Sequence, residues 1–161
     1  ISDKNSEDAQ KFYSALEEIC IGLAQSLVKD AEGATKFVSI VVEEGASEQE
    51  CLDIAFTVAH SPLVKTALFA SDPNWGRVLA AVGRSGVKAL DLQKVSLLIN
   101  DYLVLQNGSR ADGYAEDLVS EAMKSEEITI LINLKRGKAC SVVWTSDLSY
   151  EYIKINSEYR T

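Results

Sequence analysis

In the first part of the chain apolar residues recur at helical spacing. Phe12, Leu16, Ile19, Cys20, Leu23 and Leu27 fall on one face, behind Asn5 or Ser6 and the acidic pair Glu7 and Asp8. A capping side chain followed by carboxylates suits the positive end of a helix, so the pattern predicts a long amphipathic core helix to about Lys29. Asp30-Ala31-Glu32-Gly33-Ala34-Thr35-Lys36 then breaks the period as a short charged loop, a common place for a site. Phe37-Val38-Ser39-Ile40-Val41-Val42 follows as a β-branched, buried strand. Ser47-Glu48-Gln49-Glu50 has the form of a capping box, opening a helix through Cys51, Leu52, Ile54, Ala55 and Val58 that stops near His60. Ser61-Pro62 restarts the chain as a cap with a first-turn proline.

In Ser71-Asp72-Pro73-Asn74-Trp75-Gly76-Arg77, Asp72 is the expected cap and Pro73 the first helical residue, with Gly83 and Gly86 as stops. An indole, an amide, a carboxylate and a guanidinium gather at this start. It reads as a packing corner in which Arg77 bonds Asp72 or a neighbouring carboxylate. Beyond Gly86 the texture changes to short strands at 95–99 and 102–105, a turn at Asn107-Gly108, a helix over 111–124, and strands at 128–134 and 139–144. Lys135-Arg136-Gly137-Lys138 between the last two reads as a hairpin with a solvated basic tip. Leu148, Tyr152, Ile155 and Tyr159 fall at helical spacing after an Asp147 cap, which predicts a docked terminal helix.

The order of elements predicts an α/β fold of the α+β type, with helices packed on mixed or antiparallel sheets. Residues 1–70 form its helix-strand-helix part and 71–161 a smaller C-terminal α+β domain. With 161 residues the chain can bury a sizeable core. A net charge of −8 argues against nucleic acid or an anionic membrane as the main partner, since both need a clustered positive surface. Cys20, Cys51 and Cys140 are odd in number and widely spaced, so they read as buried thiols of a reducing cytosol. The lone His60 reads as a helix-end residue and leaves a metal site or a Ser-His-Asp triad poorly supplied. No phosphate-cradling or dinucleotide-binding glycine motif is present, so a nucleotide cofactor is unsupported.

Four motifs in register carry a family resemblance: Asp30-x-Glu32-Gly33-Ala34-Thr35-Lys36, Ser61-Pro62-Leu63-Val64-Lys65-Thr66-Ala67, Asp72-Pro73-Asn74-Trp75-Gly76-Arg77 and Tyr152-x-x-x-Asn156-x-x-Tyr159-Arg160-Thr161. In this order they resemble the β chain of the ornithine acetyltransferase (glutamate N-acetyltransferase) family of arginine biosynthesis. The resemblance implies the C-terminal part of a DmpA/ArgJ-like fold. It also implies a precursor that cleaves itself before a threonine, giving α and β chains assembled as an α2β2 heterotetramer in the cytoplasm. That threonine takes acetyl from N2-acetyl-ornithine as an acyl-enzyme and passes it to glutamate, a ping-pong exchange that needs no cofactor. Bifunctional members also take acetyl from acetyl-coenzyme A.

The first residue is Ile1 rather than threonine. The expectation is therefore that the chain carries no catalytic residue and is inactive alone. Glu32, Asn156 and Thr161 carry over as substrate contacts. Glu32 suits the side-chain ammonium of ornithine, Asn156 offers donors and an acceptor to the amino-acid backbone, and Thr161 adds a hydroxyl and a terminal carboxylate. Two other readings share these residues: a non-enzymatic amino-acid-binding module, and an amidase with an N-terminal nucleophile that delivers its acyl group to water.

Overall fold

The computed structural model describes residues 3–159. Ser6 Oγ accepts a hydrogen bond from the Ala9 N–H at 3.2 Å and starts α1 (Glu7–Lys29), the element the apolar period predicts. Its burial differs from expectation. Phe12, Leu16, Ile19, Leu23 and Leu27 are 44–76% exposed, and Ala9 is the helix's one buried residue. The last turn reaches the rest of the fold: Lys29 Nζ lies 2.6 Å from Glu127 Oε1 and 4.8 Å above the Phe37 ring. Among the described residues nothing covers the apolar stripe of α1, so it is not a core helix here.

The strands β1 (Phe37–Gly45), β2 (Ser96–Ile99), β3 (Tyr102–Gln106), β4 (Ser109–Arg110), β5 (Glu127–Asn133) and β6 (Ala139–Ser146) form one six-stranded mixed sheet. Its order is β4-β3-β2-β5-β1-β6, with β1 and β5 parallel and every other pair antiparallel. The sheet runs across the 70/71 boundary, because β1 lies between β5 and β6 of the second segment. One face carries Val38, Ile40, Val42, Leu97, Ile99, Ile128, Ile130 and Ile132. They form a single core with α2 (Glu48–Ala59), α3 (Pro62–Phe69), α4 (Trp75–Gly83) and α5 (Glu116–Ala122). The other face presents a row of directly opposed apolar residues, Leu103, Leu98, Leu131, Val41 and Val142. Leu103 and Val142, at its ends, are 38% and 42% exposed.

The β5–β6 connection is not a hairpin, since β1 separates the two strands. It crosses the end of β1 instead, where the Arg136 and Gly137 N–H groups both donate to Glu44 O at 2.8 Å. A Cβ on Gly137 would stand 2.3 Å from Gly45 O, so this crossing needs glycine. Arg136 is a fastener rather than a solvated tip: its guanidinium meets the Glu50 carboxylate at 2.9 and 3.3 Å and the Ala89 carbonyl at 2.5 Å.

The start of α4 also differs. Asn74, not Asp72, is the cap, its Oδ1 accepting from the Arg77 N–H at 3.2 Å, while Asp72 holds the Asn74 amide at 3.0 Å. Among the described residues Arg77 bonds no carboxylate; it donates to Leu63 O at 2.9 Å, which ties α4 to the start of α3. Trp75 packs against the core, in keeping with a packing corner. The helix expected over 111–124 is the shorter α5, entered through a turn at Gly113 (φ +78°). Of the cysteines only Cys51 is buried; Cys20 on α1 and Cys140 on β6 are exposed. Among the described residues no helix is long and apolar enough to cross a membrane.

Candidate functional site

The charged loop between α1 and β1 is held from one side by the segment that leaves β6. Asp147, only 4% exposed, accepts from Thr35 N at 2.8 Å and Lys36 N at 3.0 Å through Oδ1, and from Thr35 Oγ1 at 2.6 Å through Oδ2. It is therefore a loop anchor and not the helix cap expected from sequence. Ser149 is that cap: its Oγ accepts from Tyr152 N at 3.2 Å, starting α6 (Tyr150–Glu158), and donates to Gly33 O at 2.6 Å. Gly33 has φ +65° and a Cβ there would meet Tyr152 N at 2.7 Å, so the approach of loop to helix requires glycine. No residue of α6 is buried; it is attached through this first turn and an exposed contact further along, not through a buried face, which corrects the expectation of a docked helix.

On the outside of the same junction Asn156 Nδ2 donates to Glu32 Oε2 at 3.2 Å and to Tyr152 O at 2.9 Å. Glu32 and Asn156, expected from sequence to share a site, are thus neighbours on an exposed rim. Thr161, the third of that set, lies outside the described residues.

Beside Glu32 opens a cleft of about 340 Å³ lined by Ala31, Glu32, Pro62, Lys65, Ser146, Asp147, Leu148 and Tyr152. A few polar groups set into a largely apolar wall is the usual composition of a small-molecule site. Lys65 projects from α3 and donates to Thr145 Oγ1 at 3.1 Å and to the Ser146 carbonyl. Burial pulls its ammonium below the ordinary lysine value, with the Asp147 charge opposing. Behind the loop Lys36 is 8% exposed, and its Nζ donates to Leu68 O and Ser71 Oγ at 2.6 Å and to Met123 O at 2.7 Å. It too is lowered by burial, against the pull of Asp147. Lys36 stitches β1 to α3 and α5 from below while Lys65 faces the cleft. A larger depression of about 480 Å³ is lined by Lys29, Lys36, Phe37, Glu126 and Glu127, and neither Glu32 nor Asn156 is among its lining residues.

The cleft therefore offers carboxylates and an ammonium to a small ligand bearing both charges, with the Asn156 amide bonded to Glu32 on the rim beside it. Two hydroxyls, Thr145 at 3.1 Å and Ser146 at 3.4 Å, lie beside the Lys65 amine, but each donates its proton to a backbone carbonyl, Ala59 O and Asp147 O. His60 ends α2 against the Phe56 ring, and the nearby Thr35 and Ser149 hydroxyls are committed to Asp147 and Gly33. Among the described residues no three His, Cys, Asp or Glu side chains are grouped to hold a metal. Sequence reasoning missed Asp147, Lys65 and Tyr152. Asp147 carried a signal, an acidic residue directly after a strand, but a helix cap explained it equally well.

The sequence model of the ArgJ family matches residues 2–161. The chain is 55% identical over 151 residues to a protein of Pseudomonas fluorescens (strain Pf0-1) named arginine biosynthesis bifunctional protein ArgJ, covering 94% of this chain and 37% of that protein. It is 48% identical over 159 residues to the protein of the same name from Methylococcus capsulatus, covering 99% of this chain and 39% of the relative. The crystal structure of arginine biosynthesis bifunctional protein argJ from Bacillus halodurans superposes with a TM-score of 0.93 at 32% identity, covering 98% of this chain and 73% of that one. The chain thus spans a little over a third of the length of the relatives it matches.

Proposed function

The chain belongs to the ArgJ family, and from that premise we propose that it is the substrate-binding portion of an acetyltransferase moving acetyl from N2-acetyl-L-ornithine to L-glutamate in arginine biosynthesis. The contact between Glu32 and Asn156, made by residues 124 positions apart, is the observation that carries this reading. Glu32 takes the side-chain ammonium of ornithine, Asn156 orients the carboxylate and meets the amino-acid backbone, and Thr161 completes the rim. The reactive hydroxyl comes from outside these residues, so the chain alone is inactive; that the Thr145 and Ser146 hydroxyls donate to backbone carbonyls and not to the Lys65 amine supports this. The mechanism is a ping-pong acyl-enzyme exchange. The relatives' names include the word bifunctional, which fits a second activity with acetyl-coenzyme A as donor.

The partner is the α chain of the same precursor, in a cytoplasmic α2β2 assembly. The exposed stripe of α1 and the half-exposed row Leu103, Leu98, Leu131, Val41, Val142 support a large partner surface, because apolar patches this extensive are ordinarily covered. The exposed Cys20 and Cys140 belong to these same two surfaces.

The test is Glu32→Gln in the complete enzyme. Loss of one charge-assisted pair is expected to raise KM for acetyl-ornithine about 10- to 100-fold while precursor cleavage proceeds normally. Ordinary acetyl-ornithine kinetics in that enzyme would remove the proposed role.

A further inference from the structure

The cleft holds one group that the resemblance does not assign. Lys65, on α3, lines it together with Ala31 and Glu32 of the loop. Two of its three protons go to Thr145 Oγ1 and the Ser146 carbonyl; the third points toward Ser146 Oγ at 3.4 Å, at the long edge of hydrogen bonding. All three acceptors are neutral, and among the described residues no carboxylate lies within ion-pair distance of Nζ. A half-buried ammonium whose direct acceptors are neutral, with Asp147 beyond ion-pair distance and a weakly used proton at a cleft wall, is a place where an incoming anion gains a full charge-assisted bond.

We propose that Lys65 binds the α-carboxylate of the amino-acid substrate, so that the cleft reads its ligand at two points, the ammonium at Glu32 and the carboxylate at Lys65. The proposal rests on the reading of Glu32 as a substrate contact and adds a specificity-determining residue to it. The lowered proton affinity of Lys65 agrees with the geometry: burial outweighs the Asp147 charge, so the ammonium is still under-compensated and gains from a further anion. The competing structural role, pinning the end of β6 to α3, uses only the bonds to Thr145 and Ser146. It gives no reason for the ammonium to border the cleft that holds Glu32.

The experiment uses the complete enzyme and two donors, N2-acetyl-ornithine and its decarboxylated counterpart, N-acetyl-1,4-diaminobutane. Lys65→Gln is expected to lower kcat/KM for acetyl-ornithine about 10- to 100-fold through KM while leaving the decarboxylated donor unchanged, and Lys65→Arg is expected to keep the discrimination. Equal losses with both donors, or no loss with either, would overturn the proposal. A second measurement needs no variant: mass-spectrometric lysine acylation of the wild-type enzyme should show Lys65 protected by ornithine and not by 1,4-diaminobutane. Equal labelling in both would overturn it as well. If Glu32→Gln raises KM while Lys65→Gln does not, only this inference fails. Normal kinetics in Glu32→Gln remove the underlying functional reading instead.

Discussion

Replacing Asp147 tests whether the Glu32 loop is held in place by the β6–α6 junction. The carboxylate accepts three hydrogen bonds from Thr35 and Lys36 and is 4% exposed. In Asp147→Ala the Thr35 hydroxyl, on an exposed residue, recovers water, but the Lys36 N–H is enclosed and loses its acceptor. Charge-assisted bonds contribute about 1.5–3 kcal/mol each and an unpaired buried donor costs about 1–3 kcal/mol. Allowing for the water regained, the net loss comes to about 3–5 kcal/mol, or a fall in Tm of about 10 °C for a chain of this size. Asp147→Asn keeps an oxygen for the two N–H groups and an amide donor for the hydroxyl, so its cost is about 1 kcal/mol. Thermal unfolding by circular dichroism measures the difference. Hydrogen exchange locates it, since the Thr35 and Lys36 amides should lose protection in Asp147→Ala before the strands do. A melting temperature within about 2 °C of wild type, with those amides still protected, would refute the anchoring role.

Lys36→Met removes the side-chain donor that Leu68 O, Ser71 Oγ and Met123 O share and should destabilise the chain by about 2–4 kcal/mol in chemical denaturation. Because burial holds Lys36 below the ordinary lysine value, the unfolded chain binds more protons between the two values, and stability from this residue rises with pH through that window. The gap between wild type and Lys36→Met should therefore widen from pH 8 toward pH 10, and a constant gap would argue against the shift. Paired changes Leu16→Glu and Ile19→Glu on α1 should alter the chain's own unfolding by less than about 1 kcal/mol, since both side chains are already exposed. The same changes should abolish co-purification with the remainder of the family polypeptide.

The interior of the fold was legible where a local signal and burial agreed. The Ser6 and Ser47 caps, the buried strand at 37–42 and the helix stop at His60 all follow from short-range chemistry. The errors came where long-range geometry decided. The 135–138 turn has the composition of a hairpin, and only strand order shows that it spans β1. Asp72 and Asp147 each sit in a good capping position, yet Asn74 and Ser149 take the caps because their side chains reach the free N–H groups. The apolar periods of α1 and α6 correctly predict helices but not what covers them; an apolar stripe is the same whether its partner is in the chain or outside it. At the site, Glu32 and Asn156 were found through family motifs. Lys65 stood in such a motif too, but its place across the cleft follows from the packing of α3 against the end of β6.

A crystal structure of the complete enzyme with ornithine bound is the most direct test of the view that these residues form one wall of a shared pocket. The side-chain ammonium is expected within about 3.2 Å of a Glu32 carboxylate oxygen with Asn156 beside it, and the reactive hydroxyl is expected from a residue outside this chain. Ornithine seated away from Glu32 and Asn156, or a nucleophile drawn from residues 3–159, would contradict it.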